Sequence, residues 1–264
     1  MRDRRAGDIG DFFKLGLLRW LVAPSPYVRP LRLGVIRFGA IDDSDDHDDT
    51  HMAYLDPSST VGHDLRPLDA NLYDRLGRLS TTGDRSIRSS VSSGVLPADT
   101  VIYDRELTFA DLAPDDRAAR VVRRERWFHD AMVAVDQCSL VFVEPDNGFC
   151  HDARSTPSYR DHAEKDAYLS EVGQLLVRGQ SVVVSHRADP TESLAFQAMD
   201  DVHEALGVDP LAVVRAARGT ARMFVVIPAE LHRSDLEARL GALQLSSWCD
   251  ELRLSRWRRA TVAV

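Results

Sequence analysis

Apolar and polar positions follow two rhythms along this chain. Over residues 8–23, DIGDFFKLGLLRWLVA, the residues Phe12, Leu15, Leu18, Trp20 and Leu21 recur at near-helical spacing. The segment therefore predicts an amphipathic helix, ended by Pro24 and Pro26. Short runs rich in β-branched residues predict strands at 31–40 (LRLGVIRFGA), 100–107 (TVIYDREL), 139–144, 181–187 (SVVVSHR) and 221–228 (ARMFVVIP). Between them, helical spacing predicts helices near 84–94, 115–136, 161–178, 190–206, 209–217 and 229–242. The C-terminal stretch DELRLSRWRRATVAV predicts one or two strands, and the acidic run 42–49 reads as loop. Apolar strands alternating with helices predict a doubly wound α/β architecture. In it, one mostly parallel sheet carries helices on both faces, as a single domain over 1–264.

Composition narrows the function classes. The chain has 264 residues, 44% hydrophobic, a formal net charge of −8 and a pI near 5.6. An acidic chain is not a general nucleic-acid coater, although a local basic patch stays open. No apolar run approaches the ~20 residues that cross a bilayer, and MRDRRAGDIGDFFK lacks the apolar segment of a secretion signal. A cytoplasmic protein is the expectation. Cys138, Cys150 and Cys249 form no CxxC pair and predict reduced thiols rather than a zinc site. Of 33 Lys plus Arg, only Lys14 and Lys165 are lysine. In a chain so biased toward arginine, a retained lysine is a candidate for chemistry that a guanidinium cannot perform.

The candidate chemistry lies at the carboxyl ends of the strands, where open parallel sheets bind ligands. Strand 31–40 leads to Asp42 and Asp43. Strand 100–104 leads to Asp104 and Glu106, and strand 139–143 to Glu144, Asp146 and Asn147. Strand 181–185 leads to His186, Arg187 and Asp189. Strand 221–227 ends only in Pro228. The segment SLVFVEPDNGF places two carboxylates and a carboxamide directly after a greasy strand, which is more polar chemistry than a turn requires. Glu144, Asp146, Asn147, Asp104 and His186 are expected to converge on one cleft. His47 and His51 have i, i+4 spacing outside any predicted helix and are not read as metal ligands.

Two segments carry a family resemblance. AGDIGDFFKLGLLRWL resembles the N-terminal segment of ribosomal-RNA large-subunit adenine-N6 methyltransferases, and Glu144-Pro145-Asp146-Asn147 is similar to their strand-end Asp-Pro-Pro-Tyr motif. The resemblance implies a Rossmann-like, methyltransferase-type fold and S-adenosylmethionine as cofactor. It implies cofactor contacts at Gly7, Asp8, Asp11 and Lys14, with Asp104 toward the ribose hydroxyls. It also implies an acceptor-amine site at Glu144, Asp146 and Asn147, with Tyr159, His186 and Arg187 toward the substrate. The chain differs in having no Gly-x-Gly loop after its first strand, Asp146 for the second proline and Asn147 for the aromatic residue. It also resembles a bacterial family built on Gly-Asp…Lys, Asp-Pro-Asp-Asn-Gly and a late His-Arg, which implies no particular activity.

Two other readings stay open. Asp104, Glu144 and Asp146 are hard oxygen ligands that suit Mg²⁺ or Mn²⁺, with His186 and Arg187 toward a phosphate, as in a phosphoester hydrolase. Alternatively, Arg123, Arg124, Arg126, Arg256, Arg258 and Arg259, interleaved with Trp127 and Trp257, suit a nucleic-acid or protein-binding component without catalysis.

Overall fold

A computed structural model describes residues 7–38, 49–56, 58–82, 87–113, 116–150, 163–187, 191–219 and 222–257. Helix α1 (Ile9–Val22) precedes strand β1 (Leu33–Arg37), and α2 (Thr60–Leu65), α3 (Ala70–Thr82) and α4 (Ile87–Ser92) lead to β2 (Val101–Tyr103). Helix α5 (Arg117–Ala134) enters β3 (Leu140–Glu144). The short strands β4 (Gly148–Cys150) and β5 (Asp166–Tyr168) pair with each other beside the main sheet. Helix α6 (Leu169–Val177), β6 (Ser181–Arg187), α7 (Glu192–Leu206), β7 (Ala212–Ala216), β8 (Arg222–Ile227), α8 (Arg233–Gln244) and β9 (Leu252–Arg256) complete the described chain.

The seven-stranded sheet has the order β2-β1-β3-β6-β8-β7-β9. Strands β2, β1, β3 and β6 are parallel neighbours. Strand β8 runs antiparallel between β6 and β7, which restores β7 to the common direction, and β9 is antiparallel to β7. The expected mostly parallel α/β sheet is present. One face packs Phe12, Leu15 and Leu18 of α1, Leu72 and Leu76 of α3, and Leu236 and Leu240 of α8 against Leu33, Val35, Phe142, Val183 and Phe224. The other packs Phe128 of α5, Val172 of α6 and Met199 of α7 against Ile36, Val141, Val143, Val184 and Val225. Alternate strand residues serve opposite faces, so strands covered on both sides read as unbroken apolar runs. Among the described residues, no helix is long and apolar enough to cross a membrane.

Several expectations need correction. Residues 209–217 do not form a helix: Ala212–Ala216 is a strand, AVVRA, and its buried alternate positions carry no polar mark to separate it from a helix turn. The segment 161–178 contains β5 before the shorter helix α6. Helices α2 and α3 were not expected, although Leu72, Leu76 and Leu79 carry helical spacing. Helix α1 is less amphipathic than its pattern suggests, because Asp11 to Leu18 are all buried. Pro228 is no guide to the site, since β8 is antiparallel and its carboxyl end lies at the opposite edge.

Candidate functional site

The first turn of α1 sits over the carboxyl edge of β1 and β3. Asp8 caps the helix, its Oδ1 accepting from Asp11 N at 2.7 Å, and Asp11 Oδ2 accepts in return from Gly7 N at 2.9 Å. One turn on, the Lys14 ammonium donates to Asp11 Oδ1 at 2.6 Å and to Glu144 Oε1 at 2.7 Å. Lys14 is 5% exposed, Asp11 5% and Glu144 2%, so these charges have largely left water. Arg37, also buried, pairs in register with Glu144 across β1 and β3. The Tyr54 hydroxyl donates to Gly7 O at 2.9 Å and ties the short 3-10 helix Asp49–Leu55 to the same turn.

The electrostatics follow from this packing. Burial works against the Glu144 carboxylate, but the Lys14 ammonium outweighs it, and Arg37 adds to the effect. Glu144 is held far below the ordinary carboxylate range. Burial likewise works against the Lys14 ammonium, and Asp11 and Glu144 overcome it and raise its pKa. At Asp8 the Lys14 charge is a smaller counterweight. Burial, then the charge of Asp11, raises its carboxyl from 3.8 to about 6. Burial and then the charges of Asp11 and Asp8 push the Tyr54 phenol well above its ordinary value. The α1 terminus is thus a carboxylate-rich corner in which one ammonium already serves two acids.

The EPDNG turn does more than present side chains. Asn147 N donates to Lys165 O at 3.1 Å, and Gly148 opens β4, which pairs with β5. Gly148 has φ +140, and a Cβ there would lie 2.3 Å from His186 Nδ1. Only glycine allows the imidazole to lie this close. His186 Nδ1 accepts from Phe149 N at 3.2 Å, which leaves the ring proton on Nε2. Burial lowers the His186 pKa, against the opposing charge of Asp201, so the ring is neutral near pH 7.

The strand register separates residues that were expected to converge. Val143 pairs with Val184, so Glu144 is level with Ser185, on the α1 side of the sheet. His186 is one residue further and serves the α5–α7 side, where it stacks on Phe149 with ring centroids 4.5 Å apart. Glu144 and His186 therefore meet the edge from opposite faces. Asp104 follows Tyr103, which pairs with Ile36, and β1 lies between β2 and β3. Asp104 is therefore about two strand spacings, ~10 Å, from Glu144 rather than beside it. Asp146 is half-buried and Asn147 exposed at the tip of the turn. Among the described residues, no three His, Cys, Asp or Glu side chains gather to hold a metal ion. The set Asp104, Glu144 and Asp146 is not assembled, and the Lys14 ammonium occupies the cation position at Glu144.

The arginine surface is also altered. Arg124 is 3% exposed and grips Glu171 through Nε at 2.6 Å and Nη2 at 2.8 Å, with its guanidinium 3.6 Å above the Tyr168 ring. It is internal and unavailable to phosphate. Arg123 pairs with Asp111, Arg256 bonds Gln244, and Trp127 is buried with its Nε1 donating to Arg105 O. Arg126 remains exposed on α5. Asp42, Asp43, His47, Tyr159, Asp189, Arg258 and Arg259 lie outside the described residues, as do the side chains of His51 and Arg187.

Sequence reasoning missed Arg37, Tyr54, Ser185 and Arg222 at this edge. A signal was present for Arg37 and Ser185: each is a polar residue within an otherwise apolar strand, LGVIR and SVVVSHR. No protein-family model matches the chain, and no curated protein matches it.

Proposed function

We propose that the carboxyl edge of β1 and β3, under the first turn of α1, is the site of S-adenosylmethionine-dependent methyl transfer to an amine of a nucleic acid or nucleotide. The observation that carries this reading is the contact between Lys14 and Glu144, 2.7 Å apart in space and 130 residues apart in sequence. It joins the two segments on which the resemblance to adenine-N6 methyltransferases rests.

The residues fit the cofactor in charge. Among the described residues, Asp8, Asp11 and Glu144 outnumber the cations Lys14 and Arg37, and Asp8 makes no ion pair. S-adenosylmethionine carries a sulfonium and an ammonium against one carboxylate, and its chemistry is the supply of an electrophilic methyl group. Asp8 would take its ammonium, and Asp104 at the end of β2 would take the ribose hydroxyls. Lys14, already bonded to two carboxylates, anchors α1 to β3 instead of binding the cofactor carboxylate. Glu144 is accordingly a positioning residue that fixes the start of the EPDN turn.

Acceptor chemistry then falls to Pro145 and Asp146. The amine N–H groups donate to the Pro145 carbonyl and the Asp146 carboxylate, which turns the nitrogen lone pair toward the methyl group. The proton that the amine gives up passes to Asp146. The test is Asp146→Asn, assayed for methyl transfer to adenine- and cytosine-containing RNA and DNA and for thermal stability. The reading requires loss of transfer with a nearly unchanged Tm. A destabilised but active variant contradicts it.

A further inference from the structure

Arg222 opens β8 at the same edge and on the α1 side of the sheet, in the alternate set that includes Phe224 and Val226. It is half-buried, and its only hydrogen bond among the described residues runs from Nη1 to Ser185 Oγ at 3.2 Å. The turn before it packs on α1: a Cβ on Gly219 would lie 3.2 Å from Gly10 N. Ser185 is fully buried and level with Glu144, so the guanidinium rests on the polar row that includes the site.

Three other arginines withdrawn from water bond carboxylates or carbonyls. Arg124 holds Glu171, Arg19 holds Asp69 and the Val95 carbonyl, and Arg239 holds the carbonyls of Ala23 and Arg29. Among the described residues, the five N–H donors of Arg222 meet only a neutral hydroxyl. A partly buried guanidinium without an anion is costly, and its planar fork suits an oxyanion. Strand β8 is two strands from β3, about 10 Å, which is of the order that separates an exocyclic base amine from the phosphate of its own nucleotide.

We propose that Arg222, oriented by the Ser185 hydroxyl, receives a phosphate of the substrate, so that the site takes a nucleotide unit rather than a free base or nucleoside. The choice of substrate rests on the methyl-transfer reading; the anion site itself does not. The phosphate belongs either to a mononucleotide or to a nucleic-acid backbone.

Calorimetric titrations of the wild-type protein and of Arg222→Gln with adenosine, adenosine 5′-monophosphate and a short adenine-containing RNA test this. The wild type should bind the monophosphate about tenfold more tightly than the nucleoside, and Arg222→Gln should equalise the two. RNA bound more tightly still, with the same dependence on Arg222, assigns the phosphate to a nucleic acid, and RNA bound no better assigns it to a mononucleotide. Without ligand, Arg222→Gln should melt at or above the wild-type temperature, because an unpaired charge has been removed. Equal wild-type affinity for nucleoside and monophosphate, or discrimination kept by Arg222→Gln, overturns the proposal. Parallel titration with S-adenosylmethionine separates the two ideas. Phosphate binding through Arg222 without cofactor binding would remove the methyl-transfer reading and leave the anion site standing.

Discussion

Lys14 is the residue on which the α1–β3 contact turns. Its ammonium neutralises Asp11 and Glu144 in a region closed to water. Lys14→Met leaves two buried carboxylates facing each other and should cost about 3–5 kcal/mol in denaturant unfolding, as breaking a buried pair does. Adding Glu144→Gln to Lys14→Met should recover part of that loss, because one uncompensated charge goes with it. Equal losses in the single and double variants would contradict the pairing. The Glu144 pKa lies far below its ordinary value, so its stabilisation is present above about pH 4.5 and fades as the pH falls below that. The Lys14 pKa is raised, so its contribution is lost only above the ordinary lysine range, and the pair is insensitive to pH near neutrality. Asp8 behaves in the opposite sense. Its folded pKa, about 6, exceeds the unfolded 3.8, so the native state holds the extra proton and loses stability as the pH rises through that window. Asp8→Asn keeps the helix cap and removes the titration. Its stability relative to the wild type should grow between pH 4 and pH 7, as read from urea midpoints.

The EPDN turn shows what an element adds to its residues. A greasy strand ending in Glu-Pro-Asp-Asn marks a strand end in the sequence, and β3 stops at Glu144 as expected. That Gly148 then starts a second, parallel strand pair could not be read from three residues, since β5 is equally short and distant in the chain. Gly148→Ala should displace His186 and weaken the β4–β5 pair, lowering Tm and shifting the His186 ring signals in an NMR titration. Unchanged His186 signals would show that the imidazole does not lie against the turn. Helix α1 was legible for a simpler reason: a cap, a helical apolar stripe and a proline stop all agree. The burial of every residue from Asp11 to Leu18 was not legible, because that depends on α3 and α8 packing around the helix. Strand β7 was misread because a run of five residues, four of them buried, carries no period that separates strand from helix. The site itself was half legible. The sequence pointed to Lys14 and Glu144, but register, a property of paired strands, turned His186 to the other face and placed β1 between Asp104 and Glu144.

At the scale of the whole molecule, five strands share one direction and bring α1, β1, β3, β6 and the start of β8 to one edge. The chain carries a net charge of −8; Arg124 is buried against Glu171, and Arg123 is paired with Asp111 at the surface. RNA binding should therefore depend only weakly on salt, with a slope of log K against log salt of about −1, equivalent to one or two phosphates. A slope steeper than about −4 would reveal a broad basic surface that this account does not include. The central claim is that the edge under α1 holds S-adenosylmethionine, with Asp8 facing its cationic end. Its most direct test is an isothermal titration of the protein with S-adenosylmethionine at pH 5 and at pH 7.5. The account predicts one binding site whose affinity rises about tenfold between the two, as Asp8 ionises, and loses that rise in Asp8→Asn. No binding at millimolar cofactor, or an affinity independent of pH and of Asp8, would contradict it.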